Sequence, residues 1–305
     1  MNKAEASGVV ILDKPVGPTS HDVVARVRKH FGQRSVGHAG TLDPFASGVL
    51  VVALGEGTKL VPYLTQAEKA YSATLVLGAT TPTFDPTEPV SERAALAPSL
   101  VTELHEGRGP LLEAAFALER SRTHQVPPMH SAIHVGGTRA YALARQGTHV
   151  DLPERPVSVK ALSLDTCGIH THDGTASLTF SVVVSKGYYV RALARDLAAA
   201  LGTVGHLTML RRTAAVPFTV EEAEPLASAR VLEMAEVARR ILPAVTLTEK
   251  GTIDARMGRA IAETDRFPHV SEPAAWFSAE GELVAIGEGD RVLRGFRPTS
   301  SSPES

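Results

Sequence analysis

One carboxylate, Asp43, stands in the glycine-rich run Gly37-His38-Ala39-Gly40-Thr41-Leu42-Asp43-Pro44-Phe45-Ala46-Ser47-Gly48, just ahead of the apolar segment 49–54. Pro44 fixes its own φ and drives the residue before it toward an extended backbone, which restricts the direction in which the Asp43 carboxylate leaves the chain. The glycines around it permit a sharp path or the close approach of another backbone. Such a carboxylate, presented to a substrate, can act as nucleophile or base. The competing arrangement is a helix start with Asp43 as N-cap and Pro44 at the first helical position, and local spacing alone favours it.

Arg191, in Lys186-Gly187-Tyr188-Tyr189-Val190-Arg191, falls where a strand passes into a helix. A cation in a first helical turn meets the positive end of the helix dipole, so an anion is expected beside it. An exposed arginine, or a pair with Asp196, is the plainer alternative. Tyr71 begins a strand and by itself reads as a core aromatic. His170, His172 and Asp173 have metal-ligating side chains, but they flank a hairpin turn and no further ligands accompany them. Gly55-Glu56-Gly57-Thr58-Lys59 lacks the spacing of a phosphate-binding loop. Cys167 alternates with apolar neighbours and reads as core.

The elements that must position these residues follow from the pattern of apolar side chains. Residues 8–12 form an apolar strand that ends in the turn-rich Asp13-Lys14-Pro15-Val16-Gly17-Pro18. Thr19 or Ser20 caps a helix whose Val23, Val24, Val27 and Phe31 share a face, with Arg26, Arg28 and Lys29 on the exposed side. Strands at 49–54 and 70–77 are separated by a helix around 59–66, and 78–92 reads as a loop. An excursion over 120–150 carries Pro127, Pro128 and Gly136-Gly137, with a short helix expected at 139–146. Segments 157–170 and 175–185 form a hairpin around Asp173-Gly174. Residues 189–201 form a helix with Val190, Leu193, Ala194, Leu197 and Leu201 on one face and Gly202 as its stop. A helix at 227–241 precedes a boundary near 243–246, and short strands at 282–286 and 292–294 suggest a small β-rich unit beyond it.

Composition bounds the class. At 305 residues, 43% hydrophobic and 21% charged, the chain fits a soluble globular protein with about two domains. No run approaches the ~20 apolar residues of a membrane span, and the N-terminal residues lack a signal-peptide layout, so a cytoplasmic protein is expected. With one cysteine, neither an intrachain disulfide nor a cysteine-based zinc site is available. The net charge of −2 hides local asymmetry. From Arg120 through Val150 there is no Asp or Glu, whereas Arg120, Arg122, Arg139 and Arg145 and several histidines lie there. A second basic cluster joins Arg26, Arg28, Lys29, His30 and Arg34. From Thr246 onward there are 7 basic and 10 acidic residues, which gives that unit no electrostatic reason to bind a polyanion strongly.

Taken in order, the segments resemble the TruB-type family of tRNA pseudouridine synthases. The residues that carry the resemblance are Leu12-Asp13-Lys14-Pro15 with Gly17 and Thr19-Ser20, then Gly37 through Pro44, and Lys69-Ala70-Tyr71. Residues 127–147, Ser185 through Arg191, and Leu210-Arg211-Arg212 complete the set. The resemblance covers 8–218. Any one motif is weak, and the ordered combination is specific.

The resemblance implies an α+β pseudouridine-synthase fold with a largely antiparallel central sheet flanked by helices. It implies a catalytic domain over 1–245 and a small PUA-like domain over 246–297, and the Ser/Pro-rich composition of 298–305 makes a disordered tail the expectation there. It makes Asp43 the catalytic carboxylate for converting uridine to pseudouridine at position 55 in the T-loop of tRNA. Tyr71 is assigned to the base pocket, Arg191 to a salt bridge with Asp43, and His38 to holding the flipped-out nucleotide. Lys14, Asp85, Tyr189 and Leu210 join the substrate-binding set, and Arg120, Arg122, Arg139 and Arg145 are expected to grip the RNA backbone. His134 stands where the family often has Lys, and His130 where it often has Tyr. Pro82 and Thr87 replace frequent acidic positions around Asp85. The implied isomerisation needs neither metal nor redox cofactor, and a monomer acting on the tRNA T-arm without a protein partner is expected.

Three other readings compete with this one. A non-catalytic tRNA-binding or folding factor on the same scaffold conflicts with an intact Asp43, Tyr71 and Arg191. A glycosidase-like hydrolase would need two carboxylates at a matched separation. An RNA-guided synthase subunit is disfavoured by the lack of a long Lys-rich tail.

Overall fold

The computed structural model describes residues 5–131, 134–135, 138–139, 152–170 and 173–297. The long apolar run near the N-terminus becomes β1 (Gly8–Lys14), which lies antiparallel to β3 (Ser47–Leu54). Both strands are buried on both faces, and for that reason they read as continuous rather than alternating apolar segments. One face of the pair (Val10, Leu12, Leu50, Val52, Leu54) packs on Val23, Val24 and Val27 of α1 (Ser20–Phe31). The other face (Val9, Ile11, Val49, Val51, Ala53) belongs to a core that reaches into the C-terminal unit. Thr19 caps α1 through a capping box with Asp22, as its sequence signals, and Arg26, Arg28 and Lys29 are exposed.

Around this pair an eight-stranded sheet is assembled. Its further strands are β2 (Val36–His38), β4 (Lys69–Leu77), β5 (Val159–His170), β6 (Thr175–Val184), β7 (Gly205–Ala215) and β8 (Phe218–Thr219). The order is β1-β3-β7-β4-β6-β5, with β2 on β3 and β8 on β7. All pairs are antiparallel except the short contact of β7 with β3, at Arg211–Ser47 and Arg212–Gly48. The second core lies on the face of β4 that carries Ala73, Leu75 and Leu77, under α2 (Pro98–Glu106), α3 (Pro110–Arg120) and α4 (Val190–Ala200). The hairpin of β5 and β6 turns at Asp173-Gly174, where Gly174 has φ +69°.

The C-terminal sheet has the order β10-β9-β11-β12-β13, from β9 (Ala244–Leu247), β10 (Arg266–Phe267), β11 (Ala274–Phe277), β12 (Leu283–Glu288) and β13 (Arg291–Gly295). α5 (Met234–Ile241) leads into it and α6 (Glu249–Arg256) covers it. Trp276 is its largest buried side chain, packed with Val245, Leu247, Ala255 and Ile261. None of the helices among the described residues is long and apolar enough to cross a membrane.

Several expectations are corrected. The helix expected over 227–241 begins only at Met234, because Leu232 exchanges backbone hydrogen bonds with Val9 (2.7 and 3.0 Å) and closes the edge of β1 instead. The helix around 59–66 is a 3-10 turn, Gly55–Leu60, followed by the single turn Val61–Leu64. Within 78–92, Ala79–Thr80 pairs with Glu92–Arg93 across an otherwise irregular loop. Arg139 sits in a two-residue strand, Thr138–Arg139, paired with His134–Val135, and the rest of the helix expected at 139–146 lies outside the described residues. The disordered tail expected at 298–305 lies outside the described residues as well.

Candidate active site

Asp43 starts no helix. It lies in an irregular loop between β2 and β3, and Ala46 N–H donates to its carbonyl (3.1 Å) to close a tight turn. The loop is held from three sides. Ser20 Oγ both donates to Leu42 O (3.0 Å) and accepts from Leu42 N–H (2.9 Å). Lys14 Nζ donates to Pro15 O and Pro18 O (both 2.9 Å), with Pro44 O at 3.5 Å, and Gly17 N–H donates to Pro44 O (2.8 Å). The third hold is Arg212, only 1% exposed, whose guanidinium donates to Val49 O (2.7 Å), Gly40 O (3.1 Å) and Thr41 O (3.3 Å). Leu42, Phe45 and Ala46 anchor the loop in the α2–α4 core. The backbone around Asp43 is therefore fixed before any ligand arrives.

α4 brings the partner cation. Arg191, 5% exposed, sets Nε 2.9 Å from Asp43 Oδ2 and Nη2 3.4 Å from Oδ1. Its Nη1 donates to Thr83 O (2.9 Å) and lies 3.3 Å from Asp85 Oδ2, and its Nη2 donates to His130 O (2.8 Å). The anion expected beside a first-turn cation is thus Asp43, with Asp85 behind it. Asp196, the nearby acid, pairs with Arg122 (3.4 Å) and Arg195 (2.7 Å) instead. Asp85 is buried in a threonine-rich turn, and its Oδ1 accepts from Thr83 Oγ1 (2.7 Å), from Thr87 N–H (3.0 Å) and from the Thr87 hydroxyl. Thr87, one of the departures around Asp85, is part of what holds this acid in place. The turn includes Phe84 at φ +57°, a conformation disfavoured for a non-glycine residue.

Asp43 keeps 34% of its side chain open at the mouth of this site, although protein surrounds it closely on the other sides. Removal from bulk water pushes its carboxyl above the ordinary aspartate value, Arg191 pulls it down, and the like charge of Asp85 pushes it up again. The net direction is upward. Burial also lowers the Lys14 ammonium, to about 8, against the upward pull of Asp43. The His38 imidazole is lowered, first by burial and then by His21 and Arg212, and His21 packs edge-on against it at 5.4 Å between ring centroids.

The remaining sequence-picked residues fall into two groups. Tyr71 is half-buried on β4, in register with Arg212, on the strand face whose core also holds Leu42, Phe45 and Leu210. Tyr189 is the half-buried residue that precedes α4. Lys14 and Leu210, by contrast, are buried, Leu210 in the core that also holds Leu42 and Phe45. Arg120 and Arg122 lie further out. Arg120 bonds Leu162 O (3.0 Å) and Glu113 (2.9 Å), whereas Arg122 is committed inside the protein to buried Glu119 (2.7 Å) and to Asp196. The side chain of Arg139 and all of Arg145 are outside the described residues, as is His172. Among the described residues no group of three His, Cys, Asp or Glu could hold a metal.

Arg212 and Ser20 are site residues that the local sequence does not single out. Two adjacent arginines in an apolar strand held a signal for the first, since alternation must turn one of them inward. Arg211 turns outward and takes Asp13 in a two-pronged bond (3.0 and 2.7 Å), while Arg212 turns in.

Known proteins share this architecture. A chain in the crystal structure of a Cbf5-Nop10-Gar1 complex superposes with a TM-score of 0.68 at 24% identity, over 93% of this chain and 79% of that one. A chain in the structure of an H/ACA RNP bound to a substrate RNA containing 2'-deoxyuridine gives 0.66 at 22%, over 96% and 86%. The fold is that of the pseudouridine synthases, an α+β molecule around a largely antiparallel sheet. Residues 28–190 match the TruB family pseudouridylate synthase N-terminal domain. The tRNA pseudouridine synthase B of Arthrobacter sp. (strain FB24) is 41% identical over 97% of this chain and 99% of its own, and that of Thermobifida fusca (strain YX) is 41% identical over 93% and 94%. The chain belongs to the TruB family of pseudouridylate synthases, and it is an enzyme.

Proposed function

We propose that this enzyme isomerises uridine to pseudouridine at position 55 in the T-loop of tRNA, with Asp43 as the essential carboxylate. The observation that carries the reading is the Asp43–Arg191 pair, a carboxylate open over 34% of its side chain, whose direction is set by a buried guanidinium at 2.9 Å. Relatives named for tRNA support the substrate class. In the reaction the N1–C1′ bond breaks, the uracil turns, C5 bonds to C1′, the C5 proton passes to water and N1 gains a proton. Attack on the sugar, attack on the base and removal of a sugar proton all begin from an ionised carboxylate, and Arg191 favours that form and aims it. The uridine must first leave its stack, at a cost of a few kcal/mol. Tyr71 then offers a flat apolar surface for the detached base, and His38 and Tyr189 border the flipped nucleotide.

Arg120, Arg139 and Arg145 position the tRNA by its backbone in this reading, and Arg122 acts indirectly by bracing α3 against α4. Residues 1–245 carry the chemistry, with the C-terminal sheet as a PUA-like appendage, and the chain works in the cytoplasm as a monomer without a protein partner.

The test is tritium release from tRNA labelled at uridine C5, using the purified chain alone. Release is expected at position 55, and Asp43→Asn is expected to lower it by about a thousandfold or more. Intact tRNA binding without release by the wild-type protein would instead indicate a folding factor or a partner-dependent synthase.

A further inference from the structure

Residues 124–131 form a strap across the N-terminal turn of α4. Its start is pinned where His124–Gln125 pairs with Arg155–Pro156, and Val157 N–H donates to Thr123 O (2.9 Å). Gln125, 1% exposed, then pairs its carboxamide with the backbone of Tyr189. Tyr189 N–H donates to Gln125 Oε1 (2.8 Å), and Gln125 Nε2 donates to Tyr189 O (3.2 Å). Tyr189 is the N-cap of α4 and supplies no side-chain cap of its own, so the carboxamide fixes a helix start that nothing local fixes. One turn beyond Arg191, Arg195 Nη2 donates to Val126 O (3.0 Å). The strap then reaches the reactive pair itself, where Arg191 Nη2 donates to His130 O at 2.8 Å, closer than the 3.4 Å to Asp43 Oδ1.

We infer that Gln125, with Arg195, is a positioning residue: by registering the strap on α4 it holds the His130 carbonyl against Arg191 and sets how that guanidinium is shared among the strap, Asp85 and Asp43. It acts through Arg191 and touches neither substrate nor reacting atoms. Loosening the strap frees Nη2 for the carboxylate and opens that side of Asp43 to water. Both changes favour the ionised form. The groups that face Asp43 are Arg191 and Tyr189 at the start of α4, Asp85 from the threonine turn and Lys14 from the end of β1, and the substitutions below leave all of them in place.

The kinetic consequence rests on the isomerase reading. The test uses full-length Gln125→Met, which keeps bulk and loses both bonds, and Arg195→Met, which loses the Val126 strap bond together with the Asp196 pair and the contact over the Phe84 ring, and which carries the test if the first variant does not fold. With C5-labelled tRNA, loss of the carboxylate's fixed aim is expected to lower kcat on the pH plateau about tenfold to a hundredfold, while KM stays within about threefold. The acid limb of the rate profile is expected to move to lower pH. Unchanged kcat and acid limb in the folded variants would overturn the inference, as would a rise in KM alone, which would make the strap an RNA contact. A carboxyl 13C titration of Asp43 decides independently of turnover. A downward movement in the variants supports positioning even if the wild-type protein releases no tritium, in which case only the isomerase reading fails. An unmoved titration overturns the positioning role.

Discussion

At the scale of single residues, Asp43 is governed by three opposed influences. Burial raises its pKa, Arg191 lowers it, and Asp85, bridged to the same guanidinium at 3.3 Å, raises it again. In the proposed mechanism the reactive form is the ionised one, so the rate is expected to fall as pH drops through the pKa of Asp43 in the folded protein. Because that value is raised above 3.8, the acid limb of kcat/KM should lie above the range of an ordinary aspartate. Asp85→Asn removes the like charge, and its acid limb should move to lower pH. A pH–rate profile of the two proteins checks both statements, and an unmoved limb in the variant would separate Asp85 from the control of Asp43. Lys14 and Arg212 show a second use of buried charge. They spend their donors on backbone carbonyls of the turns around Asp43, and so hold the loop that carries it.

At the scale of elements, the short parallel contact of β7 with β3 sets the exit of the Asp43 loop into the sheet. Gly48 has φ +101°, and a Cβ built there would lie 2.2 Å from Arg212 O. Gly48→Ala therefore meets both a disfavoured backbone and a steric overlap with the strand that carries Arg212. A loss of about 2 kcal/mol or more is expected, measured as a lower urea midpoint, with activity falling alongside. Much at this scale was legible in the sequence. The capping signal and Val23, Val24 and Val27 placed α1, the Asp173-Gly174 turn placed the β5–β6 hairpin, and Gly202 ended the helix that bears Arg191. The misreadings arose where pairing at a distance overrode local pattern. Residues 227–233 have helical apolar spacing, yet Leu232 gains more by completing the backbone bonds of Val9. The Asp-Pro dipeptide looks like a helix start until Ser20, Lys14 and Arg212 satisfy the loop's backbone in another way.

At the scale of the molecule, one core joins the N-terminal strands to the C-terminal sheet. Val9, Ile11, Val49 and Val51 share it with Ala275, Phe277, Ile286 and Phe296. Further ties cross the same boundary, with Lys59 Nζ donating to Gly295 O (2.8 Å) and Arg239 over the Phe277 ring at 3.7 Å. Removing 246–305 would strip Phe277, Ile286 and Phe296 from that core, each worth about 1.5–3 kcal/mol. A thermal midpoint lower by about 10 °C or more is expected for the truncated chain. An unchanged midpoint would show that the appended sheet contributes nothing to the stability of the rest.

Local patterns in the sequence specify the strands and helices with strong periodicity, and the ordered motifs specify the family and single out Asp43 and Arg191. These are legible because turn chemistry, capping and apolar spacing act over a few residues. The tertiary structure alone decided what surrounds that pair. Residues 43, 85, 130 and 191 meet only because α4 packs across the sheet, and which arginine of Arg211-Arg212 is buried depends on the β3–β7 register. The upward shift of Asp43 likewise comes from burial and from charges distant in the chain, which local sequence does not encode.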